Sequence, residues 1–226
     1  MKLYPIMMNL EDQRVVVVGG GSVARRKVAS LLDSGARVVV ISPELVDGLR
    51  KLADQGRIEW IAELFDDAIL DRLAGVALVF GATNRRDVNV VIHRAAVDRR
   101  IPCNIADVPD LCTFTVPAVI TQGELLIAVS TGGSSPALAR RIREDLQKRF
   151  GPEYAEMTRV MGELRKLVLQ TGSPSDENKR LFLQIVDSDI LTALRDNDRD
   201  RALAILRNIL PEHVDPDKAL EEPPQN

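Results

Sequence analysis

Apolar positions follow two regimes along the chain. Up to about residue 113, short apolar runs alternate with helical periodicities; from Pro136 onward the helical period continues alone. Arg14-Val15-Val16-Val17-Val18 is a β-branched run ending in three glycines, the pattern of a parallel strand buried on both faces. Ser22 to Leu32 has helical spacing, and Gly35 is placed to stop that helix in a left-handed conformation. Val38 to Ile41, Ile58 to Ile61, Val76 to Phe80 and Ile101 to Ile105 predict four more strands, and Asp87 to Arg99 a helix. Such alternation predicts a parallel sheet covered by helices. Thr115 to Thr121 and Leu125 to Thr131, separated by Gln122-Gly123-Glu124, then predict an antiparallel hairpin. Ser135 as cap and Pro136 at the first position open a helix that Gly151 can close. Glu153 to Gln170, Asp176 to Asp187 and Arg199 to Ile209 predict further helices, with Gly172-Ser173-Pro174 as a break.

The expected fold class is therefore α/β. A Rossmann-type parallel sheet fills residues 1–113, a small β dimerisation hairpin and linking helix 114–150, and a helical domain 151–210. Residues 211–226 carry five acids, one lysine and several prolines, a composition that predicts a disordered tail. Strands appended to such a sheet domain commonly pair with a second subunit, so a homodimer is expected.

Composition narrows the partners. A net charge of −3 and a pI near 5.6 give no global basic field for nucleic acid. Aromatic residues make up 4% of the chain, too few for base-stacking platforms. No apolar stretch is long enough to span a bilayer, and the first residues do not read as a signal peptide. The two cysteines, Cys103 and Cys112, do not make a disulfide framework, so a reducing cytoplasm is expected.

Gly19-Gly20-Gly21-Ser22-Val23-Ala24 fits the G-x-G-x-x-A form between a strand and a helix. Gly19 makes the tight turn, Gly21 admits a pyrophosphate to the backbone, and Ala24 permits close packing of helix on strand. The amides of Ser22 and Val23 then lie at a helix N-terminus, where unpaired N–H groups and the helix dipole favour phosphate. An acid should follow the second strand to meet the adenosine ribose. That strand ends at Ser42-Pro43 and the nearest acid is Glu44, equally readable as an acid near the cap of the next helix. No arginine follows to hold a 2′-phosphate, which favours NAD over NADP, with Pro43 and Glu44 bordering the adenosine.

Conventional catalysts are scarce. His93 and His213 read as solvated side chains, Cys103 as a packed thiol, and no zinc-ligand or serine-nucleophile motif occurs. Asp107 follows the fifth strand at the carboxyl edge of the sheet, where ligands bind. It reads either as an acid/base taking a proton while a hydride leaves, or as a turn former before Val108-Pro109. Ser130-Thr131-Gly132-Gly133-Ser134-Ser135 opens a helix bearing Arg140, Arg141 and Arg143. The loop offers amides and hydroxyls to an anion, and Arg140 and Arg143 share a helical face. The alternative is a solvated face neutralised by Glu144 and Asp145.

With these motifs in order, the chain resembles the precorrin-2 dehydrogenase/sirohydrochlorin ferrochelatase family, which includes the N-terminal half of siroheme synthase. The resemblance rests on Tyr4-Pro5-Ile6, on Val17 through Lys27, on Gly81-Ala82-Thr83-Asn84, on Asn104-Ile105-Ala106-Asp107, and on Ala128 through Arg140. It implies NAD-dependent oxidation of precorrin-2 to sirohydrochlorin, followed in some members by insertion of Fe2+. It further implies that Gly19, Gly21, Ser22, Val23, Pro43, Glu44 and Thr83 contact NAD, and that Asp107 is the acid/base. Asn104, Ser130, Gly132, Gly133, Ser134 and Arg140 fall to the carboxylate-rich substrate, with no resident metal. Thr131 stands where some relatives carry a phosphorylated serine, and here the sequence departs from that pattern. A non-catalytic NAD-sensing module is the competing expectation; it would need neither Asp107 nor the Gly132-Gly133 loop.

Overall fold

The structure is a computed structural model and describes residues 3–170 and 174–221. The Gly172-Ser173 break, Met1-Lys2 and the segment from Glu222 lie outside the described residues. The chain divides into two compact units, Met1–Val116 and Pro117–Asn226.

The first unit alternates β1 (Arg14–Val18), α1 (Ser22–Asp33), β2 (Arg37–Ile41), α2 (Asp47–Asp54), β3 (Glu59–Ile61), α3 (Ala68–Arg72), β4 (Val76–Gly81), α4 (Arg86–Asp98) and β5 (Cys103–Ile105). The strands form one parallel sheet in the order β3-β2-β1-β4-β5. The order reverses between β1 and β4, and a crevice opens outside the carboxyl ends of strands at such a switch point. Successive strand residues feed opposite cores. Val15, Val17, Val38, Val40 and Phe80 pack with Ala24, Val28 and Leu49. Val16, Val18, Val39, Ile41 and Val79 pack with Ile69, Ile92 and Ala96. An unbroken valine run is thus required where both faces are covered.

Gly35 has φ +74 after the capping residue Ser34, as expected for a left-handed stop. A helix after β2 was expected without bounds, and α2 supplies it with Gly48 inside. A side chain at Gly48 would collide with the Arg25 stem, so the glycine there makes room for α1.

The second unit opens with the hairpin β6 (Ala118–Gln122) and β7 (Leu125–Val129), antiparallel as predicted. Helices α5 (Pro136–Arg149), α6 (Glu153–Leu169), α7 (Ser175–Val186), α8 (Ile190–Arg195), α9 (Arg199–Ile209) and α10 (Asp217–Leu220) follow. The Gly123 turn lies against Ala155 of α6, where an added Cβ would meet its Cα and Cβ at 3.0 Å. Ser135 caps α5 as predicted, its hydroxyl oxygen accepting from the Leu138 amide at 3.2 Å. Gly151, by contrast, is not left-handed; a side chain there would strike the Glu153 carboxylate.

The tail reading needs correction over its described part. Val214, Ala219 and Leu220 are buried in the core of the helical unit with Val160, Leu164 and Leu206. Composition missed this because three apolar residues suffice to dock a segment whose remaining positions are charged.

Candidate functional site

At the end of β1 the chain turns at Gly19, whose φ of +122 is open to glycine and whose added Cβ would overlap the Ala82 carbonyl. The Gly19 amide donates to Ile41 O at 2.9 Å and the Ala82 amide to Val18 O at 2.8 Å, tying three strand ends together. A Cβ on Gly20 would collide with Glu44 O. Gly21, the N-cap of α1, is the contrary case: nothing lies within 4 Å of its would-be Cβ, and its side faces open space. No side chain caps α1, and the amides of Ser22 and Val23 have no acceptor among the described residues. This is a ready cradle for phosphate oxygens.

A cleft of about 760 Å³ extends from that turn. Gly19 through Val23, Ser42, Pro43, Thr83 and Asp107 line it, with Leu64, Phe65 and Val88 supplying apolar wall. The residues expected from the glycine turn and from Asp107 therefore converge on one cavity. Its volume, its apolar wall and the free amides at one end suit a dinucleotide.

Glu44 is not among the lining residues; its contribution is the carbonyl, which accepts from the Ser42 hydroxyl at 2.7 Å and sits against Gly20. Neither is it a helix cap, since Val46 is the N-cap of α2 and Asp47 the acid of its first turn. Trp60 steadies this corner by donating Nε1–H to Ser42 O at 2.9 Å, with the Arg50 guanidinium 4.6 Å from its ring centroid.

Thr83 lines the cleft with its hydroxyl already engaged. Thr83 Oγ1 donates to Asn89 Oδ1 at 2.7 Å, and Asn89 Nδ2 donates back to Thr83 O at 3.2 Å. Asn89 is only 4% exposed, so this reciprocal pair fixes the loop after β4. Sequence reasoning passed over Asn89. The available signal was a polar residue on the apolar row of α4, three positions before Ile92.

Asp107 occupies the turn that was one of its two readings. Its φ of +60 places it in the left-handed region of a turn, closed by Val108 N–H to Ile105 O at 3.3 Å. Its carboxylate is exposed and has no hydrogen bond or ion pair among the described residues. A turn former with an uncommitted carboxylate over a cleft is equipped for proton transfer.

Asn104 lies outside the cleft lining. Its Nδ2 donates to Phe114 O at 3.0 Å and approaches Cys112 Sγ at 3.6 Å. Burial pushes the Cys103 thiol up to about 12, with Cys112 adding to the shift, so Cys103 is inert as expected. His93 is a correction: it is half-buried, and Nδ1 lies 3.0 Å from Leu111 O, where it pins the turn Pro109–Leu111 rather than facing solvent.

The second expected cluster belongs to the other compact unit. Gly132 and Gly133 have φ of +62 and +86. Thr131 Oγ1 donates to Ser135 O at 3.0 Å and accepts from Ser135 N–H at 3.1 Å, while Ser130 Oγ accepts from Gly132 N–H at 3.2 Å. The hydroxyls of Ser130, Thr131 and Ser135 thus build the loop itself, and Ser134 is exposed. Arg140 pairs with Glu144 at 2.9 Å, and Arg143 with Gln147 at 2.8 Å and Glu144 at 3.5 Å. These pairings along the helix leave Arg140 and Arg143 exposed or half-buried at the surface of α5.

Comparison with known proteins bears on the same two regions. Residues 6–118 match the family described as "Putative NAD(P)-binding", and residues 122–149 the one described as "Sirohaem biosynthesis protein central". The chain belongs to this NAD(P)-binding family. The siroheme synthase of Methylobacillus flagellatus is 40% identical over 191 residues, covering 84% of this chain and 40% of that one. Siroheme synthase 3 of Aeromonas hydrophila is 37% identical over the same shares. The chain therefore spans about two fifths of the length of these relatives. Among solved structures, SirC, a precorrin-2 dehydrogenase, superposes with a TM-score of 0.74 at 25% identity, covering 92% of this chain and 98% of that one. Among the described residues, no helix is long and apolar enough to cross a membrane, and no group of three or more His, Cys, Asp or Glu is placed to hold a metal ion.

Proposed function

We propose that this chain oxidises precorrin-2 to sirohydrochlorin with NAD. The observation that carries the reading is the unpaired Asp107 carboxylate on the wall of a cleft whose other end is a phosphate cradle. The likeness to SirC, a precorrin-2 dehydrogenase, over nearly all of both chains supports the choice of substrate. Bound NAD supplies a hydride acceptor. Ser22 and Val23 amides receive its pyrophosphate, Gly21 leaves room for it, and Pro43 borders the adenosine. No arginine occurs between Ser42 and Val46 to hold a 2′-phosphate, and Arg50 is engaged over the Trp60 ring, which favours NAD. Asp107 takes the proton that the macrocycle loses as its hydride departs, so two hydrogens leave the substrate in all. The same carboxylate is suited to accept pyrrole protons when Fe2+ enters the ring, and sirohydrochlorin ferrochelatase activity is proposed with it.

The Ser130, Gly132, Gly133 and Ser134 loop, with Arg140, is proposed for the substrate's carboxylates; the amide of the left-handed, exposed Gly133 has no acceptor among the described residues. A homodimer through the hairpin fits the exposed Val119 and Leu126, 37% and 46% accessible on one face. The free cysteines fit a reducing cytoplasm.

The test is anaerobic precorrin-2 with NAD, followed by absorbance, for wild type and Asp107→Ala. Wild type should form sirohydrochlorin, and the variant should lose roughly 100-fold in turnover with NAD affinity within about twofold. The proposal is falsified if well-folded wild type produces no sirohydrochlorin above the uncatalysed rate. A matching loss of NAD affinity in Asp107→Ala would make Asp107 structural.

A further inference from the structure

Lys27 is the half-buried cation of the Val17 to Lys27 motif, beside the exposed Arg25 and Arg26, and the cofactor cradle leaves its charge unexplained. It stands one helical turn beyond Val23, which lines the cleft, and so on the same row of α1. It is half-buried, and its ammonium lies 5.4 Å from the centroid of the Phe80 ring. Phe80 meets Phe114 edge-to-face with centroids 5.4 Å apart, and Phe80 is the β4 register partner of Asn104. Asn104 in turn holds the Phe114 carbonyl. The ammonium therefore sits by an aromatic pair on the flank of Asn104, and Lys27 itself is not among the cleft-lining residues.

Among the described residues, Lys27 has no carboxylate or carbonyl within hydrogen-bond or ion-pair distance. Burial pushes its pKa below the ordinary lysine value; Cys112 and Asp107 favour the charged form, and Arg26 opposes it. Asp107 is thus within electrostatic reach of Lys27 but not paired with it. A half-buried cation that rests on a ring face and lacks an anion is costly as it stands. An arriving carboxylate would relieve that cost, because charge-assisted bonds are the stronger kind.

We propose that Lys27 receives one carboxylate of the substrate from the Phe80–Phe114–Asn104 side, holding the macrocycle edge next to Asp107. The proposal rests on the dehydrogenase reading and deepens it: the substrate must present an acidic side chain at that edge. Lys27 is on this account a positioning residue, and the chemistry remains with Asp107.

Lys27→Met keeps the aliphatic stem over Phe80 and removes the charge, whereas Lys27→Arg keeps the charge. Lys27→Met should raise KM for precorrin-2 about tenfold against about twofold on kcat, and Lys27→Arg should recover most of the loss. Sirohydrochlorin binding, titrated by absorbance without NAD, should weaken in parallel, with NAD affinity held. If Lys27→Met fails to fold, Lys27→Gln carries the same comparison. An unchanged KM in an active, charge-free variant overturns the inference alone. A fall in kcat with a displaced pH profile and constant KM also overturns it, since Lys27 would then act by tuning Asp107. Lost NAD affinity would assign it a structural role instead. Inactive wild type removes the dehydrogenase reading and this inference with it.

Discussion

At the end of β1, Gly19 and Gly20 are glycines because the Ala82 and Glu44 carbonyls leave no room for a side chain. At the end of β7, Gly132 and Gly133 are glycines because of their backbone angles, and nothing lies within 4 Å of a Cβ built on Gly133. The first loop is a junction where three strand ends and α2 meet, and only its third glycine, Gly21, looks outward. The second is a freestanding turn held by its own hydroxyls. Two glycine-rich stretches that look alike in sequence therefore face different tests: substitution in the first probes packing, and substitution in the second probes backbone conformation and whatever approaches from outside.

Gly19→Ala should produce the largest effect, since it combines backbone overlap with a φ of +122. A loss of about 3 kcal/mol is expected in denaturant unfolding followed by the fluorescence of Trp60, the single tryptophan. A loss under about 1 kcal/mol would erase the distinction between the loops. Next comes Gly21→Asp, at a position with ordinary angles of φ −90 and ψ −169 and open space around it. Aspartate is a good N-cap, so stability should hold or rise slightly, while NAD affinity drops about 100-fold as like charges meet. Undiminished affinity, measured by calorimetry, would detach the glycine turn from the cofactor.

Gly133→Ala should cost only about 1 kcal/mol, the left-handed penalty alone, and leave NAD affinity where it was. Circular dichroism melts check the first part; a loss near that of Gly19→Ala would mean the loop is packed after all. The smallest effect provides a baseline that involves neither loop. Arg99 donates to both Asp71 oxygens at 2.7 Å and holds that carboxyl below its usual pKa. With the folded value depressed, the stabilisation is complete above the unfolded carboxylate pKa of about 4 and is lost as pH falls through the lower folded value. Wild type should therefore lose stability below about pH 4 slightly more steeply than Asp71→Asn. Equal slopes would show that the exposed pair contributes nothing.

Much of the first unit was legible because its signals are redundant. Four consecutive valines mark a strand covered on both faces, and glycines directly after it and before a helix mark the turn between them. The α5 start was equally plain from Ser135-Pro136. What stayed hidden was polar or small residues doing packing tasks. The bounds of α2 were not legible around Gly48, whose reason is Arg25, a residue on another helix. Val214, Ala219 and Leu220 were outnumbered by charges that face solvent. Asn89, His93 and Lys27 sat in helices where a polar residue reads as exposed, and only tertiary structure reveals that Thr83, Leu111 and Phe80 lie opposite them. Asp107 was readable as to place but not as to state: spacing put it at the strand end, and only the fold shows that its carboxylate has no partner among the described residues.

The Thr83–Asn89 clasp has a kinetic consequence. Because a buried side chain already fixes the loop after β4, no segment there must become ordered when a cofactor arrives, and none must loosen when it leaves. Exchange of spent for fresh cofactor at this wall is then a matter of diffusion through a standing opening, with the loop serving as a rigid berth rather than a gate.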